Sequence, residues 1–163
     1  MSQRSYASKD LDESAVLALN RAFQTETSPL DSVQLRHFLQ QAFHVGLCDK
    51  GRDAFLFALE QDAVSSSPNF LWFKARYPRF VYIDRVVVAP SKRGMGLARR
   101  LYEELFAAAA DGGHVLVTCE VNVRPPNRAS DAFHSALHFR AVGRAEIADG
   151  EKVVRYLVRS LGI

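Results

Sequence analysis

The order of apolar segments predicts a mixed α/β sheet flanked by helices. Three observations carry this reading. Runs rich in β-branched and aromatic residues, bounded by turn residues, alternate with segments of helical periodicity. A strand, a glycine turn, a helix and a second strand follow one another over residues 80–121, and such a unit has parallel strands joined by a right-handed crossover. Two strand-like runs precede the unit, and a helix with a final hairpin follows it, so the other pairings are mostly antiparallel.

Each element has a local justification. Residues 11–24 read as a first helix on a stripe of Leu11, Ala15, Leu17, Leu19 and Phe23. Residues 31–43 read as a second, with Asp31 as the N-cap and Val33, Leu35, Phe38, Leu39 and Phe43 at three- and four-residue steps. Residues 44–48 and 54–59 are strands around the polar break 49–53. Residues 65–68 form a loop and the aromatic stretch 69–77 a short helix. The strand 80–88 ends at Pro90. The helix after the glycine turn runs to about Ala110, with Leu97, Leu101, Leu105 and Ala108 or Ala109 on its buried stripe, and Asp111-Gly112-Gly113 stops it. Residues 114–121 form another strand, and Pro125-Pro126-Asn127 breaks the chain before a helix near 128–137. Strands near 139–147 and 152–160 surround the turn 148–151.

Length and composition set bounds. At 163 residues, 48% hydrophobic and 24% charged, the chain is expected to form one soluble domain over 1–163. The net charge of +3 is modest, and its clustering between residues 85 and 100 suits a small anionic ligand rather than nucleic acid. No apolar run reaches the length of a membrane span, and Met1–Tyr6 lacks the apolar core of a secretory signal. The two cysteines, Cys48 and Cys119, offer neither a disulfide framework nor metal-ligand spacing, so a reducing cytoplasm and no metal are expected.

The segment 86–101 is the most informative. A β-branched run (Val86, Val87, Val88) stops at Pro90, and a basic turn with Gly94 and Gly96 opens directly into a helix. Such a turn gathers backbone N–H groups at a helix N-terminus, where the helix dipole also favours negative charge. Glycine lets the backbone take unusual dihedrals and lets a ligand approach without meeting a Cβ. Lys92, Arg93, Arg99 and Arg100 surround the same point, which therefore reads as a phosphate or pyrophosphate site. It is not a Walker loop, because Leu97-Ala98 follows Gly96 where Lys and a hydroxyl are needed. Nor is it a Rossmann fingerprint, since Arg99 stands at the third small position.

The pattern Arg93-x-x-Gly96-x-Ala98, preceded by Val88-x-Pro90, resembles the acetyl-CoA-binding motif of GNAT-type N-acetyltransferases. A second block, Asn127-x-x-Ser130-x-x-Phe133-His134 with Phe139 downstream, is similar to that family's Asn-x-x-Ala-x-x-Phe-Tyr segment. The resemblance covers residues 80–145, and extends to the first 79 only through the order of elements.

The resemblance implies a splayed parallel pair, 80–88 and 114–121, and an acetyl-CoA-dependent acetyl transfer to a primary amine by direct attack in a ternary complex. The backbone from Arg93 through Gly94, Met95, Gly96, Leu97 and Ala98 would cradle the coenzyme A pyrophosphate, with Arg99 near it. The pantetheine arm would pair with backbone at Val86 and Val88, facing Asn127, Ser130 and Phe133. The acetyl carbonyl would meet an N–H near Val86 or Val87. Asp84 is a candidate base, its alternative being an ion pair with Arg85; Glu120 is a second candidate. His134 stands where the family has a tyrosine that protonates the thiolate, and either takes that role or contacts pantetheine. His138, where the family often has glycine, is read as half-buried packing, and Cys119 as packing. His37, His44 and His114 are read as structural or exposed. Asn69, Trp72, Phe73, Arg76 and Tyr77 either wall an acceptor pocket or cover a sheet face. The acceptor is a small-molecule or peptide amine, with no nucleic acid or membrane, on a monomer or homodimer. A non-catalytic acyl-CoA-binding or sensing module is the alternative function.

Overall fold

A computed structural model of the chain describes residues 11–23 and 27–162. Its strands are β1 (His44–Cys48), β2 (Ala54–Glu60), β3 (Val81–Val88), β4 (Leu116–Arg124), β5 (Arg140–Ile147) and β6 (Lys152–Ser160). They form one sheet in the order β1-β2-β3-β4-β6-β5, antiparallel except for β3 and β4. The helices are α1 (Glu13–Ala22), α2 (Ser32–Gln41), α3 (Pro68–Lys74), α4 (Leu97–Asp111) and α5 (Arg128–Ala136). The mixed α/β architecture predicted above is the one observed.

Alternation along the strands divides the core in two. Phe55 and Phe57 of β2 with Tyr82 of β3 face α1, α2 and α3, where Leu35, Phe38, Phe70 and Phe73 meet them. Leu56 and Ala58 with Val81 and Ile83 face α4, meeting Leu101, Tyr102 and Leu105. Burial on both faces explains why β2 is apolar without alternation. Asp31 caps α2 as predicted, in a reciprocal box: its carboxylate accepts from Gln34 N at 2.8 Å and its own N–H donates to Gln34 Oε1 at 2.9 Å.

Several local expectations are corrected. The buried face of α1 carries Val16 and Asn20, whereas Leu17, Leu19 and Phe23 are only half-buried. Val33 on α2 is 71% exposed, because the face carrying Leu35, Phe38 and Leu39 meets the sheet. Strand β4 starts two residues later than expected. Gly113 takes φ 78°, and His114 N–H donates back to Ala109 O at 2.9 Å, so His114 belongs to the helix cap. Gln24 and Met1–Tyr6 lie outside the described residues.

Gly143 of β5 permits one close contact. A Cβ there would sit 2.3 Å from Trp72 Cζ2, and Trp72 stacks on Tyr156 at 4.1 Å between ring centres. Gly143→Ala is therefore expected to lift the indole off Tyr156 and to destabilise the fold by about 1–3 kcal/mol. Trp72 is the single tryptophan, so its emission in a denaturant titration reads both effects; an unchanged midpoint and spectrum would contradict the packing.

Candidate active site

The parallel pair β3–β4 holds together only at Val81↔Val117 and Tyr82↔Thr118. Beyond these, β3 continues with β2 to Val88 and β4 continues with β6 to Arg124, so a gap opens between two well-anchored strands. Hydrogen bonds show which peptide groups face it. Ala89 N–H donates to Asp53 O (2.8 Å) and Phe43 N–H to Ala58 O (2.9 Å), so odd-numbered residues of β2 bond β3 and even-numbered ones bond β1. Val87, opposite Phe55, accordingly bonds β2 and buries its side chain beneath the α1–α3 layer. Val86 and Val88 turn their peptide groups into the gap, where only a ligand or water can satisfy them.

At the end of β3 the glycine turn is open. Gly94 and Gly96 have φ of 79° and 78°, and a Cβ at either would meet nothing within 4 Å. Gly96 is the N-cap of α4 and supplies no side-chain cap, so the first N–H groups of a 15-residue helix point outward. A cavity of about 450 Å³ lies here, lined by Val88, Lys92, Arg93, Gly94, Gly96, Leu97, Ala98, Arg99 and Phe133 among others. Met95, 64% exposed, does not line it. Arg93 rests its guanidinium 4.5 Å from the Phe23 ring centre, and Arg99 and Arg100 pair with Glu103 and Glu104 at 3.1 and 3.2 Å.

A larger cleft, about 950 Å³, lies between β3 and β4, lined by residues 82–86 of the one and 119–122 of the other. Asp84, Val86 and Glu120 line it, as do Asn127, Ser130 and His134 of the second predicted block. Asn127 is the N-cap of α5, accepting from Ser130 N–H at 3.1 Å. The predicted coenzyme residues therefore divide between two cavities, the larger lined by Val86 and the smaller by Val88.

Asp84 and Glu120 have different surroundings. The pairing of β3 with β2 skips Asp84, because Phe57 opposes Arg85 and Ala58 opposes Ile83. This bulge brings two consecutive side chains together, and Arg85 Nε meets Asp84 Oδ2 at 2.9 Å. Arg85, 9% exposed, also donates to Asn20 Oδ1 (2.9 Å), Ser28 O (2.9 Å) and Ser28 Oγ (2.8 Å), tying the segment after α1 to β3. Asp84 is thus the counter-ion of a buried guanidinium.

Glu120 has no cation partner among its described contacts. Tyr82 O–H donates to Oε2 at 2.8 Å and Asn69 Nδ2 to Oε1 at 3.1 Å, while Asn69 Oδ1 accepts from Tyr156 O–H at 2.9 Å. Burial pushes its carboxyl up to about 8, the two hydrogen bonds acting in the opposite sense. Glu120 is a carboxyl whose proton is exchangeable near neutral pH.

His134 is 6% exposed, and burial lowers its pKa. Its Nδ1 lies 2.7 Å from Ser130 O, and its Nε2 2.7 Å from the Tyr102 hydroxyl. His138 is exposed rather than half-buried. It takes φ 66° as the left-handed residue closing α5, and this turns its side chain outward while Phe139 enters the core. Cys119 is buried against α4, with its thiol pushed well up by burial. His37 is exposed, His44 half-buried, and His114 pairs with Glu60 Oε2 at 3.0 Å.

Of the aromatic stretch, Asn69 alone lines the larger cleft. Trp72 stacks on Tyr156, Arg76 lies 3.9 Å over Trp72, Phe73 is fully buried and Tyr77 packs against it, so this segment covers the sheet. Sequence reasoning missed Tyr82, Tyr102 and Asn20. Tyr102 adjoins Leu101 on a helix whose buried face is wide enough for both, which is a usable signal. Among the described residues no cluster of three or more His, Cys, Asp or Glu is placed to hold a metal ion, and no helix is long and apolar enough to cross a membrane.

Residues 69–139 match the Acetyltransferase (GNAT) family. No curated protein matches the chain. The fold is shared with the ribosomal-protein-S18-alanine N-acetyltransferase from Escherichia coli, at 16% identity and TM-score 0.66 over 98% of this chain and 92% of that one. Ard1 from Thermoplasma volcanium aligns at 14% identity and TM-score 0.71 over 98% and 97%. Chaetomium thermophilum Naa20, in complex with a bisubstrate analogue, aligns at 20% identity and TM-score 0.67 over 99% and 87%.

Proposed function

We propose, from the match of residues 69–139 to the Acetyltransferase (GNAT) family, that the chain moves the acetyl group of acetyl-CoA to a primary amine by direct attack in a ternary complex. The observation that carries this reading is the gap between β3 and β4, continuous with the open glycine turn. An extended, amide-bearing arm fits peptide groups at Val86 and Val88, and a diphosphate fits the N–H groups from Gly94 to Arg99. Arg93 supplies positive charge beside it. Asn127, Ser130 and Phe133 face the arm from α5, and the Val86 N–H meets the acetyl oxygen as its charge develops.

Glu120 is the base in this reading, directly or through a water. Asp84 serves the site by holding Arg85. A lysine-type amine, pKa ~10.4, must spend roughly 4–5 kcal/mol to become neutral at pH 7, and an α-amine near 8 only about 1 kcal/mol. A base titrating near 8 suits the second. The larger cleft also has room for several residues of an extended acceptor. We therefore take the acceptor to be a peptide bearing a free α-amine, the class to which the S18-alanine enzyme's name also points.

Thiol release from acetyl-CoA checks this, measured with peptides that have free N-termini and with the same sequences N-blocked but carrying a lysine. Turnover is expected with the free α-amines. Coenzyme A binding without thiol release on any amine would leave a sensing module instead.

A further inference from the structure

Tyr102 is a buried polar group that this mechanism leaves unused. It is 1% exposed, and its hydroxyl lies 2.7 Å from His134 Nε2. The direction of that hydrogen bond follows from the other side of the ring. A carbonyl oxygen only accepts, so His134 Nδ1, at 2.7 Å from Ser130 O, carries the ring proton. Ser130 Oγ, at 3.3 Å, lies beside the same nitrogen. Burial keeps the ring neutral, which leaves Nε2 as a lone pair and makes Tyr102 the donor. His134 therefore has no proton on the nitrogen that faces Tyr102. Tyr102, His134 and Ser130 all line the larger cleft beside Val86.

The titratable groups around the hydroxyl are His134 on α5, with Asp131 beyond it, and Cys119 and Glu120 on β4. None of them is a cation at neutral pH. The cations that line the same cleft are Arg85, held by Asp84, Asn20 and Ser28, and Lys152 at the start of β6; beside His134 the group that faces a departing sulfur is the neutral Tyr102 hydroxyl.

We propose that the Tyr102 hydroxyl is the hydrogen-bond donor to the departing sulfur of the coenzyme, and that His134 is the positioning residue that holds this hydroxyl in the resting site. The inference rests on the acetyl-CoA reading above. When the C–S bond breaks, the electron pair goes to sulfur. The Tyr102 O–H swings from His134 Nε2 to the thiolate, exchanging a neutral hydrogen bond for a charge-assisted one roughly twice as strong. Tyr102 keeps its proton, since burial pushes the phenol well above its ordinary value, whereas a thiol titrates near ~8.5. The thiolate takes a proton from water as the coenzyme departs.

The test needs no acceptor. In the complex of the wild-type protein with coenzyme A, the bound thiol, followed by thiolate absorbance in the ultraviolet, is expected to titrate about one pH unit below free coenzyme A. Tyr102→Phe is expected to abolish that shift while still binding coenzyme A. Identical thiol titrations in the two proteins would overturn the proposal. A second measurement uses wild type alone: at a pH above the thiol's titration, coenzyme A is expected to bind about tenfold more tightly than desulfo-coenzyme A. Equal affinities for the two ligands overturn the assignment of Tyr102 and leave the coenzyme reading standing; no binding of either removes both.

Discussion

Gly96→Glu is expected to lower coenzyme A affinity at least about a hundredfold, a change of ~2.7 kcal/mol, while the chain stays folded. Gly96 is exposed and a Cβ there meets no atom within 4 Å, so the added side chain breaks no packing. Its φ of 78° costs any residue with a Cβ about 1–2 kcal/mol. The carboxylate then occupies the N-terminus of α4 itself, and takes the N–H groups and dipole that a diphosphate needs. Gly96→Ala separates the two effects, since it carries the backbone cost without the charge and is expected to lose far less affinity. Isothermal titration with coenzyme A reads both variants. Undiminished binding by Gly96→Glu would place the diphosphate elsewhere.

Glu120→Gln is expected to lower the acetylation rate by a factor of about 10² to 10⁴, the usual contribution of a positioned base. Gln keeps the size of the side chain and an oxygen to accept from Tyr82, so the coenzyme affinity is expected to stay near wild type. Below the titration of Glu120 at about 8 the base is mostly protonated, and at pH 7 about a tenth is ionised. The wild-type rate therefore rises with pH through that region, and the Gln variant loses this limb of the profile. A profile unchanged by the substitution would move the base elsewhere. The same group makes a stability prediction of definite sign. Its folded value of about 8 lies above its ordinary value of 4.5, so between them the folded chain holds a proton that the unfolded chain has released. The resulting stabilisation is fully present below the ordinary value and is lost as pH rises through about 8, by at most about 1.4 kcal/mol per pH unit. Relative to Glu120→Gln, wild-type melting temperature is expected to fall over that interval.

Much of the fold was legible because the signals are local. Strands β1, β2, β3 and β6 and the caps of α2 and α4 depend on residues within a few positions of one another. The errors were local too. Val33 keeps a helical spacing with Leu35 and Phe38 but lies on the outer face, since periodicity does not say how wide the covered stripe is. His138 was misjudged because the α5 cap, not the residue's own polarity, decides which way its side chain turns.

Of the partnerships in the candidate site, the sequence offered only the Asp84–Arg85 pair, as the alternative to a base, and without the reason for it. Asp84 and Arg85 are neighbours in sequence, and in a regular strand they face opposite ways. Only the bulge against β2 brings them together. Glu120 meets Tyr82 from 38 positions away and Asn69 from 51, and no spacing rule connects them. Tyr102 and His134 likewise come from different helices.

The glycine turn could be read from residues 90–98 because its requirement is conformational: a backbone at positive φ with nothing in front of it needs glycine at those positions. The sequence alone therefore determined the order of elements and the open glycine turn at the start of α4. Which carboxyl retains its proton, and which nitrogen of His134 carries one, was decided only when distant elements closed over these groups. Desolvation and hydrogen-bond direction are properties of what surrounds a residue, and folding alone supplies those surroundings.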